Sequence, residues 1–372
     1  MATVTLSVIN DLYSDQRLDK VCNSLIGMGF EVKLVGRRYR NSPEVKREYR
    51  TKRIHLLFKR GPLCYAEFNL RLFFYLLFQK TDILVANDLD TLLPNLLVSK
   101  IRRKKLVYDS HEYFLGILEI QHRAPVKWVW TQIEKWCFPQ LDHIITVSQS
   151  IVDLYRKEYG KEVHLVRNIP LLREYKPINK DELKSELGIP LDQKVVIFQG
   201  NAIHRDRGGE EIVQAAPYIE QAVILIVGDG DMVPDLKNWV KEHQLEDKVI
   251  FTGRVAPEIL RKYTQMADLG VTFDKNVSPN HYYSLPNKLF EYIHAYIPIV
   301  ASDLPERKRI IETYEVGEVI EDLSPQSVAT AINGILQDPE RYARYKENCV
   351  QAAQDLNWQK EELVLQKIYK NL

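Results

Sequence analysis

Short runs rich in valine, isoleucine and leucine alternate with helical patterns of about a dozen residues along the whole chain. In the first half these runs cover residues 4–9, 31–35, 54–58, 83–86, 106–109 and 143–147. In the second half they cover residues 194–199, 222–227, 248–252, 269–273, 298–301 and 317–320. Such runs predict strands covered on both faces, and the helices between them supply the right-handed crossovers of parallel sheets.

The pattern in each half therefore predicts a doubly wound, Rossmann-like α/β domain. The polar stretch 167–184, which contains Pro170 and Pro177, predicts the boundary. We expect one domain over residues 1–168 and a second over 169–354, with the final helix, about 355–372, packing back onto the first. The two domains are expected to face each other across a cleft, with ligands at the carboxyl ends of the strands.

Cysteine usage and the N-terminus bear on the compartment. The four cysteines lie far apart and form no C-x-x-C pair, which argues against a disulfide framework or a zinc site. The chain starts directly with a strand pattern, which argues against a secretory signal. The most apolar run, 63–78, is shorter than the ~20 residues of a membrane span. We therefore expect a cytoplasmic protein in which this run forms a buried or surface-docked helix.

The near-neutral total charge of +1 hides an asymmetry. Residues 1–170 carry about 27 basic and about 18 acidic side chains, so the first half is strongly positive. The excess is concentrated in residues 37–40, 46–60 and 102–105. It indicates either solvated helix ends and loops or a face for anionic lipid headgroups or a lipid-diphosphate acceptor. Nucleic acid is disfavoured because no nucleic-acid-binding motif accompanies the charge.

The segment from Ser284 to Tyr292 has the chemistry of half a nucleotide site. Pro286 suits the first turn of a helix, whose free N–H groups and dipole attract an anion. Lys288 adds a positive charge, and Glu291 lies near the same face, where its carboxylate could accept hydrogen bonds from a ribose diol. The alternative is an ordinary helix start with a surface lysine and glutamate.

A second loop follows the predicted strand that ends near Gly200. It contains Arg205 and Arg207, and glycine lets the backbone approach a ligand while arginine can brace a diphosphate. The alternative is an exposed basic loop.

Two loops of the first half have candidate polar side chains. His111 and Glu112 follow a strand end, where histidine could hydrogen-bond a sugar hydroxyl or transfer a proton. The loop from Asp11 to Arg17 could meet an acceptor, or Ser14 or Asp15 could cap the next helix.

Two further patterns invite different interpretations. Asp88 and Asp90 form a D-x-D that could hold a divalent metal, but capping of the following helix is the favoured reading. The sequence Gly228-Asp229-Gly230 is similar to a dinucleotide turn, but Val233 stands at the third glycine, so an NAD site is weakly supported.

Taken together, these segments resemble the family 4 glycosyltransferases of the GT-B fold, and the closest subset is bacterial enzymes of surface-polysaccharide and lipopolysaccharide assembly. The resemblance runs over nearly the whole chain. Its motifs are DLDTLLP at 88–94, YDSHE at 108–112, RNIP at 167–170, QG at 199–200 with RG at 207–208, and LPNKLFEY at 285–292 with IVASD at 299–303.

The resemblance implies a retaining, metal-independent enzyme that needs no cofactor. It would move a sugar from a UDP- or GDP-linked donor to a glycan or lipid-linked acceptor. Peripheral contact with an anionic membrane is an expectation from the charge asymmetry alone. The implied catalytic residues are His111, Arg207, Lys288 and Glu291. The implied donor-binding residues are Gly200, Asn201, Arg205, Arg207, Gly228, Arg254, Val255, Ser284, Leu285, Pro286, Asn287, Lys288 and Glu291. The implied acceptor-binding residues are Asp11, Asp15, Arg17 and Glu112.

Two positions depart from the family pattern. Tyr283 stands where the family often has a glutamate that contacts the donor sugar, and Asn280 or His281 could substitute for it. Asn201 stands where an arginine is usual, and Arg205 could supply the charge. Two other functions therefore stay open: a sugar-nucleotide epimerase of similar fold, and an inactive nucleotide-sugar-binding subunit.

Overall fold

The computed structural model describes residues 1–13, 15–174 and 176–372. Ser14, one of the two predicted caps, lies outside the described residues. The chain divides into two compact units. The first unit comprises Met1–Asn168, Ser278–Asn280 and Glu361–Leu372, and the second comprises Ile169–Val277 and His281–Lys360.

The first unit is built on one parallel sheet of seven strands in the order β3-β2-β1-β4-β5-β6-β7. Its strands are β1 (Thr3–Ser7), β2 (Glu31–Arg38), β3 (Arg50–His55), β4 (Ile83–Asn87), β5 (Lys105–Ser110), β6 (His143–Thr146) and β7 (His164–Leu165). Its helices are α1 (Gln16–Gly27), α2 (Pro62–Phe78), α3 (Leu89–Arg102), α4 (Leu118–Gln121), α5 (Ala124–Cys137) and α6 (Gln149–Tyr159).

The second unit has a parallel sheet of six strands in the order β10-β9-β8-β11-β12-β13. Its strands are β8 (Lys194–Gly200), β9 (Ala222–Gly228), β10 (Val249–Gly253), β11 (Leu269–Thr272), β12 (Ile299–Ser302) and β13 (Gly317–Ile320). The remaining helices of the chain are α7 (Lys180–Glu186), α8 (Gly209–Ala215), α9 (Val233–Glu242), α10 (Pro257–Met266), α11 (Pro279–Tyr283), α12 (Asn287–His294), α13 (Pro305–Tyr314), α14 (Pro325–Leu336), α15 (Pro339–Asp355) and α16 (Trp358–Lys370).

The burial of the strands explains the sequence pattern. Every residue of β1, β4, β11 and β12 is buried, as expected for strands with helices on both faces. In the second unit, separate apolar clusters pack on the two faces of the sheet, one around Phe198 and Phe273 and the other around Phe290 and Tyr292. The prediction of two doubly wound, Rossmann-like domains is confirmed.

The helix ends follow capping chemistry. The Asp15 carboxylate accepts a hydrogen bond from the backbone N–H of Leu18 at 3.0 Å, which confirms the N-cap reading of Asp15. At the other end of a helix, Gly160 terminates α6 in the left-handed conformation with φ 64°. Within the part of the chain that the structure describes, no helix combines the length and apolar character needed to cross a membrane.

One strand prediction was wrong. The third strand covers Arg50–His55 and not residues 54–58, because it lies at the sheet edge and pairs only with β2. An edge strand can expose charged side chains, so its sequence lacks the apolar run used to find the others. The two-residue strand β7 was missed for the same lack of signal.

Glu134 on α5 is a fully buried carboxylic acid in an aromatic cluster. Its Oε1 accepts a hydrogen bond from the Tyr159 hydroxyl at 2.7 Å, whereas its Oε2 has no hydrogen-bond partner among the described residues. Burial raises the pKa of Glu134 to about 7. The pKa of Glu134 is higher in the folded chain than in the unfolded chain, so the buried site favours the protonated acid. The stability that this acid contributes is complete below the unfolded pKa and is lost as the pH rises through 7.

We therefore expect Glu134→Gln to raise the free energy of unfolding at about pH 8 by roughly 2–4 kcal/mol, and to have much less effect near pH 4. Denaturant unfolding across this pH range measures the effect. Glu162→Gln, a change at an exposed residue after α6, serves as the control. A variant no more stable than the unmodified chain at pH 8 would show that this buried carboxyl carries no cost.

Candidate functional site

The loops at the carboxyl edge of the second sheet enclose a cavity of about 150 Å³. They follow β8 and β11 and lead into α8 and α12. This is the edge at which doubly wound sheets bind ligands. The lining residues are Phe198, Gly200, Ala202, Ile203, His204, Arg207, Asp274, Pro286 and Lys288.

Asp274 is the centre of the charge network at this cavity. Its Oδ2 is 2.5 Å from Nη2 of Arg307 and 3.2 Å from the Thr272 hydroxyl that donates to it. Its Oδ1 is 3.3 Å from Nη1 of Arg207. Burial alone would raise the pKa of Asp274, but Arg307, Lys288 and Arg207 outweigh it and hold this pKa well below its usual range. Asp274 is therefore a permanent anion that fixes the two guanidinium groups.

Lys288 supplies a third cation near the cavity. Its Nζ lies 4.6 Å from the centroid of the Phe198 ring, a cation–π distance. Burial lowers the pKa of Lys288, and Asp274 opposes that shift. Lys288 is the second residue of α12, and no side chain caps the start of this helix. The uncapped N-terminus of α12 and the lysine together favour binding of an anion.

Glu291 lies one turn further along α12. One of its carboxylate oxygens accepts a hydrogen bond from Gln199, whose own amide oxygen accepts from the Thr264 hydroxyl at 2.9 Å. This chain of contacts holds the carboxylate beside Gly200, at the end of β8. The structure thus brings Lys288 and Glu291 to one end of the strand whose loop carries Arg207.

Two glycines at this edge are required by close contacts. Gly228 has φ 130°, and a Cβ there would lie 1.9 Å from the carbonyl oxygen of Gly200. Gly208 has φ 92°, and a Cβ there would lie 2.7 Å from Cβ of Phe273. Glycine at both positions lets the backbone loops approach each other around the cavity.

Other predicted donor residues lie at or near the surface. Asn201, Arg205, Arg254 and Asn287 are exposed, and Arg205 is not among the cavity-lining residues. Arg254 donates through Nη2 to the carbonyl oxygen of Asn201 at 3.3 Å.

Four more predicted residues lie beside the core or the charge network. Val255 and Leu285 pack against the apolar cluster around Phe290. Ser284 is 3.4 Å, through its hydroxyl, from Nη2 of Arg307. Burial and the neighbouring Arg207 lower the pKa of His281, so this histidine is neutral at pH 7.

In the first unit, Asp88 adopts a conformation that is nearly restricted to glycine, with φ 62° and ψ 166°. It precedes α3, but its side chain makes no capping bond, so the capping prediction for Asp88 was wrong. Its Oδ1 accepts instead from the backbone N–H of His111 at 2.7 Å. A side chain committed to the histidine loop cannot fold back onto its own helix.

His111 lies between two carboxylates. Its Nδ1 is 3.6 Å from Asp88 Oδ2, and its Nε2 is 3.4 Å from Asp109 Oδ2. Burial alone would lower the pKa of His111, but Asp88 and Asp109 outweigh it and raise this pKa to about 9. The imidazole is therefore charged at neutral pH, which suits a hydrogen-bond donor and not a general base.

Arg17 stands behind this histidine. It is buried, and it donates to Asp109 Oδ1 at 2.7 Å and to the Val166 carbonyl at 2.9 Å. Burial alone would raise the pKa of Asp109, but Arg17 and His111 lower it to about 2. Arg17 therefore fixes the charge of Asp109.

The other predicted acceptor residues have partners of their own. The Asp11 carboxylate accepts from the Tyr13 backbone N–H at 3.1 Å and from the Ser42 hydroxyl. Glu112 accepts from the side-chain amide of Asn280 at 2.7 Å, within the first unit. Asn280, one of the two proposed substitutes for the sugar-contacting glutamate, thereby has its amide nitrogen engaged.

The D-x-D pair has little of the character of a metal site. Burial raises the pKa of Asp90 well above its usual range, which favours the protonated acid over the carboxylate that a divalent ion requires. Among the described residues, no group of three or more His, Cys, Asp or Glu side chains is arranged to hold a metal ion.

Sequence reasoning missed Asp274 and Arg307, and it named Gln199 in a motif without giving it a role. Asp274 lies two residues after the end of β11, and the strand-end rule that selected His111 could have found it. Arg307 lies inside α13, where its sequence context, Glu-Arg-Lys-Arg, is typical of a solvated helix face. Nothing in that pattern indicates a fully buried guanidinium.

Two family models match the chain. The model for glycosyl transferases group 1 matches residues 179–351, and the model for glycosyltransferase family 4 matches residues 16–169. Together they cover most of both units.

Among curated relatives, the chain is 28% identical over 171 residues to an alpha-D-kanosaminyltransferase of Streptomyces kanamyceticus, which covers 45% of this chain and 42% of the relative. It is 28% identical over 142 residues to an alpha-monoglucosyldiacylglycerol synthase of Streptococcus pneumoniae, which covers 36% of this chain and 32% of the relative. The matched stretches thus span less than half the length of these relatives.

The fold is similar to that of the Anabaena protein HepE, solved in complex with UDP and glucose. The TM-score is 0.78 at 17% sequence identity, with 100% of both chains covered. Since the family models match both units and the whole chain has this architecture, the protein belongs to the family 4 glycosyltransferases of the GT-B fold.

Proposed function

We propose that this protein is a retaining, metal-independent glycosyltransferase. It transfers a sugar from a UDP- or GDP-linked donor to a glycan or lipid-linked acceptor in cell-surface polysaccharide synthesis. Family membership supports the reaction class. The single observation that carries the donor assignment is the convergence of Arg207 and Lys288 on one cavity at the carboxyl edge of the second sheet.

The charge balance at this cavity suits a diphosphate. Three cationic side chains, those of Arg207, Lys288 and Arg307, interact electrostatically with the carboxylate of Asp274, and Glu291 interacts with Lys288. The charge of Arg307 is neutralised by Asp274, because both side chains are buried and their charged atoms lie 2.5 Å apart. Arg207 is 37% exposed, so its guanidinium can reach a ligand. The anion that enters thus meets Arg207, Lys288 and the uncapped start of α12.

These groups act on the leaving group. The bond between the anomeric carbon and the diphosphate oxygen breaks as the acceptor hydroxyl attacks from the departing face. The acceptor proton passes to the leaving phosphate. Negative charge accumulates on the diphosphate, and preorganised cations aimed at it lower the barrier. Arg207 and Lys288 perform the role that a metal ion has in other transferases.

His111 contributes a positive charge on the first unit. Its imidazolium form, held by Asp88 and Asp109, fits donation of a hydrogen bond to a sugar hydroxyl and not removal of a proton from the acceptor. His111 is thus not the base for the acceptor, which is compatible with proton transfer to the leaving phosphate.

The acceptor and the location follow from chemistry on the first unit. Its positive excess suits an acceptor with phosphate groups, and one relative is a synthase of a glucosylated diacylglycerol. A lipid-linked acceptor places the protein at the inner face of the cytoplasmic membrane.

Donor binding is tested through Glu291. We expect UDP or GDP to raise the melting temperature of the unmodified chain, because a ligand that binds only the folded state stabilises it. Glu291→Ala should weaken the affinity about 10- to 100-fold, since it removes hydrogen bonds from a charged acceptor to the ribose. Titration calorimetry measures the affinity. Glu312→Ala, on the exposed side of α13, should bind normally. Equal affinities for both variants would remove Glu291 from the donor site.

Arg207 and Arg205 form a matched pair in one loop. Arg207→Ala should lower kcat by about 10²–10³ because the developing charge loses one preorganised donor. Arg205→Ala should have little effect, since Arg205 is exposed and does not line the cavity. Steady-state kinetics with a sugar-nucleotide donor compares the two. A larger loss for Arg205→Ala would reverse the assignment of the diphosphate-binding arginine.

Metal independence predicts that excess EDTA leaves the transfer rate unchanged and that added Mg²⁺ or Mn²⁺ does not increase it. The physical reason is that Arg207 and Lys288 already neutralise the leaving group. Initial rates with chelator and with metal measure this, and NMR of the first-formed product reports its anomeric configuration. Activity that disappears with EDTA and returns with a divalent ion would contradict the metal-independent part of the proposal.

A further inference from the structure

Helix α2 is apolar on both faces, although only one face is buried. Its inner face packs Phe68, Leu72 and Leu76 against β2, β3, β4 and α3. The opposite face exposes four large side chains at spacings that place them on one side of the helix. This α2 stripe consists of Leu63, Leu70, Phe74 and Phe78. Leu70 is 60% exposed and Phe78 is 79% exposed, so the stripe is a row of apolar side chains open to solvent. The ion pair between Glu67 and Arg71 lies on the same side of the helix, within this row.

The loop before α2 extends the stripe. Leu57 and Phe58 are exposed, and their backbone N–H groups donate to the Glu67 carboxylate at 2.8 and 2.9 Å. The same carboxylate accepts from Nε of Arg71 at 2.8 Å. The Glu67 carboxylate thus fixes the backbone of two residues whose apolar side chains lie at the surface. An exposed loop fixed in this way is built to present Leu57 and Phe58.

The surroundings of the stripe are positive. Between residues 56 and 81, Glu67 is the single acid, whereas Lys59, Arg60, Arg71 and Lys80 are basic. The end of α3 adds Arg102, which donates to the Leu76 carbonyl at 3.0 Å. The exposed Arg103 and Ile101 lie next to it in the chain. An apolar strip with a positive rim is the pattern of a surface that lies in the interface of an anionic bilayer.

The geometry points to an anionic lipid bilayer as the partner of the α2 stripe, with Leu57, Phe58 and the stripe inserted among the headgroups. A second copy of this chain would bring two positive rims together, and the repulsion disfavours that occupant. Lipid phosphates complement the charge of the rim, because basic side chains near an anionic membrane surface are attracted to it.

This surface adjoins the segment that holds His111. The side-chain amide of Asn69 in α2 donates to the carbonyl oxygen of Asp90, in the first turn of α3, at 2.7 Å, and Asp88, which precedes α3, accepts from the His111 backbone N–H. Docking through the stripe would bring the histidine loop close to the headgroup layer. The inference rests on the lipid-linked acceptor of the proposed function and names the surface that would meet its membrane.

Vesicle sedimentation tests the inference. The chain should bind phosphatidylcholine vesicles that contain about 30% phosphatidylglycerol, bind pure phosphatidylcholine weakly, and lose most binding at about 0.5 M salt. The triple variant Leu70→Ser/Phe74→Ser/Phe78→Ser should bind anionic vesicles at least about tenfold more weakly than the unmodified chain. The matched control Leu191→Ser/Tyr218→Ser changes exposed apolar residues of the second unit and should bind normally. A second variant, Lys59→Glu/Arg60→Glu, should lose the preference for anionic vesicles.

Three results would overturn the inference. These are no binding to anionic vesicles, equal binding by the triple variant, and a dimer of the unmodified chain that the triple variant converts to a monomer. The triple variant should keep its melting temperature and its thermal shift with UDP or GDP. Failure of docking is thereby distinguished from failure of the proposed function.

Discussion

The candidate donor site of the second unit depends on one buried ion pair. The Arg307 side chain is fully buried and Asp274 is 1% exposed, so each charge can exist there only because the other is present. Removing one partner of such a pair typically costs about 3–5 kcal/mol, because an uncompensated charge stays behind. From this fixed pair the network extends outward, through Asp274 to Arg207 and through Arg307 to Ser284. The cationic lining of the cavity is therefore set before any ligand arrives.

In the first unit, the charged side chain that is fixed at the strand ends is a histidine. Asp88 and Asp109 lie at the carboxyl ends of neighbouring parallel strands, and His111 is held between them. The strained backbone of Asp88 costs on the order of 1–3 kcal/mol, and such strain concentrates where function requires a fixed side chain. In both units, polar groups that would be expensive to bury alone are held in networks at the strand ends. The result is a fixed charge in each unit at the edge where doubly wound sheets bind ligands.

The sequence predicted the architecture well because buried parallel strands have an unmistakable composition. The six strands of the second unit lie within one or two residues of the predicted runs. The edge strand Arg50–His55 was misplaced because it exposes charges, and Asp88 was misread because capping is the usual role of aspartate before a helix. Lys288, Glu291 and Arg207 could be selected as candidates because a glycine loop and a helix start are typical of an anion site. Arg307 could not be found, since its burial depends on a partner 33 residues away in the chain.

The central claim is that the cavity beside Arg207 and Lys288 binds the diphosphate of a nucleotide donor. A crystal structure of the chain with UDP or GDP tests it most directly. The account predicts phosphate oxygens within hydrogen-bonding distance of the Arg207 guanidinium, the Lys288 ammonium and the first N–H groups of α12, with the ribose diol on Glu291. A nucleotide bound elsewhere, or bound with Arg207 and Lys288 turned away from its phosphates, would contradict the account.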